Sequence, residues 1–122
     1  MDIFRFREFP VYKIVREFRK TVKGLSKTKF PVTEQYCLTQ QLWRALDSIL
    51  LNIAEGSDKY SDIDFGRYLN IALGSINEVV ACLDVALDDG YITAKEHEEF
   101  LKIAEQIVKQ LKAFSGRLRS HK

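Results

Sequence analysis

Asp89-Gly90-Tyr91-Ile92-Thr93-Ala94-Lys95-Glu96 ends one helix and begins another within eight residues. Glycine accepts the left-handed conformation that follows a helix's last turn, so Gly90 reads as a stop. Thr93 and Glu96 stand three apart, the spacing at which each side chain satisfies the other residue's free backbone N–H. So short a corner forces the helices on either side to run antiparallel. Upstream, Phe65, Leu69, Ala72, Ile76, Leu83 and Leu87 recur at helical steps behind a Ser61 cap. Asp62 and Asp64 fall in that helix's first turn, where the positive end of the dipole favours acids. Downstream, Phe100, Ala104, Ile107, Leu111, Phe114 and Leu118 form the matching stripe.

Two more stripes precede this pair. Val11, Val15, Phe18, Val22 and Leu25 define a helix with Pro10 in its first turn, and that helix must stop before Phe30-Pro31 because proline pushes the preceding residue out of the α region. Leu38, Leu42, Ala45, Ile49 and Ile53 define the next, with Thr33 as its expected N-cap and Gly56 as its expected left-handed stop. The spacing predicts helices over about 10–27, 34–55, 62–89 and 94–118, and no β-like alternation competes. Four long helices with short loops predict an all-α, antiparallel up-down-up-down bundle, one domain spanning 1–122.

Hydrophobic residues at 46% and charged residues at 30% suit a globular domain. The sequence reads without an uninterrupted membrane-length apolar stretch or a signal-peptide layout, so no membrane association is expected and the cytoplasm is the expected location. Cys37 and Cys82 lack a CxxC spacing and read as plain buried thiols. The net charge of +2 conceals an asymmetry: residues 1–30 hold nine Lys/Arg against three Asp/Glu, residues 31–90 three against ten, and residues 91–122 seven against four. The ends are basic and the middle acidic, an asymmetry that bears on partners more than the net charge does.

Two surfaces are left after the core is assigned. Trp43, Leu50 and Ala54 lie at the edge of the second stripe, while Tyr68, Ile71, Cys82 and Val85 widen the apolar arc of the third. These seven are the candidate oligomer interface, against the plainer reading of a central, well-covered third helix. On the first helix Lys13, Arg16, Lys20, Lys23 and Lys27 recur opposite the apolar stripe with no acid among them. A solvated face normally interleaves acids for i,i+4 pairing, as Glu98–Lys102 and Glu105–Lys109 do on the fourth helix. The five are therefore candidate phosphate contacts for RNA or DNA, although no sequence-reading signature accompanies them.

Catalytic constellations are not evident. A di-iron bundle needs Glu-x-x-His pairs, whereas His97 follows Ala94 at that spacing and His121 lies near the C-terminus. No phosphate loop, HExxH or GxSxG occurs, and neither a cofactor nor a metal is expected. Asn52, Asn70 and Glu55 sit near the core and read as interhelix hydrogen-bonding groups ahead of an acid–base site.

Asn52-Ile53-Ala54-Glu55-Gly56, followed by Phe65-Gly66-Arg67-Tyr68-Leu69-Asn70-Ile71-Ala72-Leu73-Gly74-Ser75-Ile76-Asn77-Glu78, resembles the four-helix bundle family of 23S rRNA intervening-sequence proteins. Val11-Tyr12, Leu38-Thr39-Gln40-Gln41-Leu42-Trp43-Arg44-Ala45 and Leu87-Asp88-Asp89-Gly90-Tyr91-Ile92 extend the resemblance over nearly the whole chain. It implies a homopentamer without an assigned activity. A related branch, the accessory variability protein of diversity-generating retroelements, resembles a more strongly basic pentamer that binds nucleic acid and a reverse transcriptase. Two expectations follow: a homo-oligomeric nucleic-acid-binding accessory protein, or a scaffold that binds another protein.

Overall fold

The computed structural model describes residues 3–120; His121 lies outside them. Four helices run α1 (Pro10–Lys29), α2 (Leu38–Gly56), α3 (Asp62–Asp88) and α4 (Ala94–Ser120), with short 3-10 turns at Arg5–Glu8 and Val32–Glu34, and no strand occurs among the described residues. Each helix packs on its neighbour in sequence and α1 closes on α4, so the bundle is up-down-up-down as the loops require. α2 and α3 share the most extensive interface.

The punctuation read from the sequence holds at five of the seven ends it addressed. Pro10 occupies the first turn of α1, and Phe30, extended at ψ 138° ahead of Pro31, ends it. The Ser61 hydroxyl accepts from the Asp64 N–H at 3.1 Å. Thr93 and Glu96 form the reciprocal box, with 2.8 Å from the Thr93 N–H to the Glu96 carboxylate and 3.1 Å from the Glu96 N–H to the Thr93 hydroxyl. Gly90 has φ +79°. The backbone hydrogen bond and the nearby Lys29 outweigh burial and hold the Glu96 carboxyl below its ordinary value.

α2 departs from expectation at both ends. Thr33 does not cap it: the chain spends residues 32–34 in a 3-10 turn, and α2 starts at Leu38 behind Cys37. The Glu34 carboxylate takes over the capping role by accepting from the Leu38 N–H at 3.3 Å. Gly56 is not a left-handed stop either, since Gly90 alone has positive φ among the described residues. Its missing side chain serves packing, because a Cβ there would lie 2.7 Å from the Tyr68 Cβ and 3.0 Å from the Phe65 ring. Cys37 is exposed rather than buried, because it precedes the first buried residue of α2, whereas Cys82 is buried and its thiol is pushed up by burial and then by the Glu78 charge.

The core takes Val15, Phe18 and Val22 from α1, Leu42, Leu46, Ile49 and Ile53 from α2, Leu69, Ile76 and Leu83 from α3, and Ile107 and Leu111 from α4. Each such side chain contributes about 1.5–3 kcal/mol when fully withdrawn from water. α3 has the length and mean hydropathy of a membrane span, although Asn70, Ser75, Asn77 and Glu78 interrupt its apolar run. Its apolar surplus has a use within the bundle, because it packs against α2 on one side and α4 on the other.

The two ends of the bundle are closed differently. At one, the Tyr91 hydroxyl donates to Glu34 at 2.7 Å, the Tyr91 and Phe30 rings lie 5.6 Å apart, and Lys29 approaches Glu96 at 3.6 Å. The hydrogen bond to Glu34, with burial and the charges of Glu34 and Asp89, pushes the Tyr91 phenol up to about 12. At the other, Phe9, Phe65 and Phe114 form an aromatic cluster, each ring within 6.4 Å of the next.

Candidate nucleic-acid interface along the first two helices

α1 has its apolar stripe against the core, so its basic residues turn outward and toward α2. The structure divides the five predicted contacts. Lys13, Arg16, Lys20 and Lys27 are exposed, and Arg16 and Lys20 have no ion-pair partner among the described residues. Lys13 is paired with Glu8 at 3.3 Å. Lys23 is only 15% exposed and lies 2.7 Å from the Asp47 carboxylate on α2. The stripe is thus partly paired, by acids from outside its own face, which corrects the expectation of a wholly uncompensated face.

Arg19, absent from the sequence-based list, joins it, since its Nε donates to Asp47 at 2.6 Å. Burial pushes the Asp47 carboxyl up, but the hydrogen bonds and charges of Lys23 and Arg19 outweigh that and hold it below its ordinary value. Trp43 completes this seam. Its indole N–H donates to the Ser26 hydroxyl at 2.8 Å, and the Lys23 and Lys27 ammoniums stand 5.1 and 5.5 Å from its ring centroid.

Two concavities flank the seam. A basin of about 580 Å³ is lined by Lys13, Arg16, Arg19 and Lys20, with Glu17 and Leu50. A groove of about 980 Å³ runs between the C-terminal end of α1, the 31–36 turn and the outer face of α2. Tyr36, Trp43, Lys27, Arg44 and Leu51 are among its walls.

The seven predicted interface residues differ in exposure. Trp43, Leu50, Ala54 and Tyr68 are half-buried, and Tyr68 is tied down by a 3.2 Å hydrogen bond to Glu55. Ile71 and Val85 are exposed on α3. Cys82 is 4% exposed and belongs to the core, so it presents nothing to a neighbour. Leu51 and Ile63 are exposed apolar residues that periodicity did not single out. A wider scan for apolar residues opposite each core stripe would have found them.

Asn52 donates to the Ser48 carbonyl at 2.8 Å and to its hydroxyl at 3.1 Å, and the Ser48 and Ser75 hydroxyls bridge α2 to α3 at 2.7 Å. Asn70 is exposed on α3 and lines a different cavity from Asn52 and Glu55, so the three are not brought together. His97 lies 2.7 Å from Asp84 and ties α4 to α3. Among the described residues no group of three or more His, Cys, Asp or Glu could hold a metal ion.

The model of the family described as 23S rRNA-intervening sequence protein matches residues 7–113. A crystal structure of a protein with unknown function from the S23 ribosomal protein family of Bacteroides thetaiotaomicron is similar at a TM-score of 0.78 and 28% identity, covering 86% of this chain and 97% of that one. None of the curated proteins compared with the chain matches it in sequence.

Proposed function

This chain belongs to the 23S rRNA-intervening sequence protein family, and from that membership and the geometry of the α1/α2 seam we propose a non-catalytic, homo-oligomeric accessory protein that holds RNA or single-stranded DNA by its phosphates. The observation that carries the reading is the basin, which Lys13, Arg16, Arg19 and Lys20 line together and in which Arg16 and Lys20 have no ion-pair partner among the described residues. Phosphates that replace solvent counterions there relieve the mutual repulsion of Arg16 and Lys20. The seam contains cations and an already neutralised acid, with no nucleophile placed beside a base, which favours binding over chemistry.

Assembly is the second part of the proposal. Ile71 and Val85 on α3 and Leu51 on α2 are exposed apolar groups on different helices. A contact that joins unlike surfaces is heterologous, and repeated around an axis it closes a ring. Five subunits is the number that the family resemblance implies, and a ring adds the basic seams of its copies together.

Light scattering combined with titration by RNA and single-stranded DNA at low and moderate salt tests both parts. The expected result is a pentamer-sized particle whose affinity falls steeply with salt, each neutralised phosphate adding about 0.7 to the logarithmic slope. Replacing Arg16 and Lys20 by Glu abolishes binding and leaves the particle intact. An oligomer that ignores both nucleic acids at low salt sinks the nucleic-acid reading and favours a scaffold that binds protein through Ile71 and Val85.

A further inference from the structure

We infer that the groove beside Tyr36 seats unpaired bases, so that the protein prefers single-stranded to duplex nucleic acid. The inference rests on the nucleic-acid reading above and adds a part of the molecule that the basic stripe does not include. Lys27 connects the two: it is the last cation of the stripe, it stands over Trp43, and it lines the groove. From Lys13 to Lys27 the helix advances about 21 Å. A strand whose phosphates begin in the basin is therefore delivered along the seam to the groove mouth.

Tyr36 is 79% exposed and takes part in no hydrogen bond or ring contact among the described residues. The fold makes no use of this ring, and a base plane can stack on it. Trp43 cannot serve as the platform, because Ser26 holds its edge and two ammoniums approach its ring. Gln35, Thr39 and Gln40 line the same groove and offer both donors and acceptors, which suits base edges without selecting one base.

The charges agree with this occupant. Lys27 and Arg44 are exposed groove cations with no ion-pair partner among the described residues. The groove's two acids are already engaged, Asp47 by Arg19 and Lys23 and Glu55 by Tyr68 and, at 3.9 Å, Lys59. Across its floor α2 shows Gln40, Arg44, Asp47 and Glu55 with Leu51 as the exposed apolar exception. The α2 side thus offers polar groups to base edges and phosphates, while Val32, Tyr36 and Leu51 supply exposed apolar surface on which a base plane can lie. A duplex keeps its bases paired and stacked inside, so it reaches the basin but offers no free base to Tyr36.

The test uses the full chain with three probes: a short oligouridylate, the same strand annealed to oligoadenylate, and inorganic polyphosphate. The parent protein is expected to bind the single strand more tightly than the duplex. Tyr36→Ala is expected to weaken oligouridylate binding about tenfold and leave polyphosphate binding unchanged, while Tyr36→Phe, which keeps the ring, binds like the parent. Arg16→Glu with Lys20→Glu weakens all three. Oligouridylate binding that is salt-sensitive and lost with the Arg16/Lys20 pair but indifferent to Tyr36→Ala overturns the base seat and leaves the phosphate reading standing. Failure of the parent protein to bind any probe overturns both. A smaller particle for Tyr36→Ala with unchanged affinity also overturns the base seat, assigning the groove to contact between copies.

Discussion

Asp47 faces two cations from the neighbouring helix, and its ionisation controls both stability and the charge of the seam. Because its carboxyl is held below the ordinary value of 3.8, the ionised form is the one the fold favours. The stability it supplies is therefore complete above pH 3.8 and disappears as pH falls through the lower folded-state value. Asp47→Asn is expected to lose about 0.5–1 kcal/mol at neutral pH, a value discounted for the group's partial exposure. Denaturant midpoints of parent and variant should then converge in acid. The same substitution removes one negative charge between Arg19 and Lys23 and should tighten polyanion binding at low salt, so stability and affinity move in opposite directions. The basic stripe was legible from sequence because its positions repeat along one helix. Arg19 was not, because its partner is 28 residues away and only the docking of α2 on α1 brings them together.

Helix ends separate what local rules settle from what packing settles. Thr93–Glu96 and Gly90 were readable because both partners of each device lie within one turn. At Gly56 two explanations of a glycine compete, a left-handed cap or close approach of another helix, and nearby residues do not choose between them. Tyr68 and Phe65 on α3 make the choice. Gly56→Ala is therefore expected to cost about 1–3 kcal/mol by overpacking. Gly74→Ala, at a position on α3 with nothing within 4 Å of the added carbon, should stabilise by about 1 kcal/mol. Thermal or urea unfolding of the two variants checks the contrast. Equal effects would mean that the close approach of α2 and α3 at Gly56 yields without cost.

The number and direction of the helices followed from periodicity and loop length, since a 3.6-residue repeat and expected connections of four to six residues leave few ways to fold. What surrounds the bundle did not follow, because an apolar side chain on a wheel can be covered by its own molecule or by another. Cys82 turns out to be covered from within and Tyr68 half-covered, while Ile71 and Val85 are exposed. Ile71→Arg combined with Val85→Arg should leave circular dichroism unchanged and reduce the particle mass to that of a monomer in light scattering. An unchanged mass would place any contact between copies elsewhere. The order of the bundle bears on how it forms as well. Contacts join each helix to the next along the chain, and only the closure of α1 on α4 spans the whole sequence. Such a topology can grow by local hairpins and pay its single long loop-closure entropy last, which makes for rapid folding and a short lifetime for exposed apolar faces.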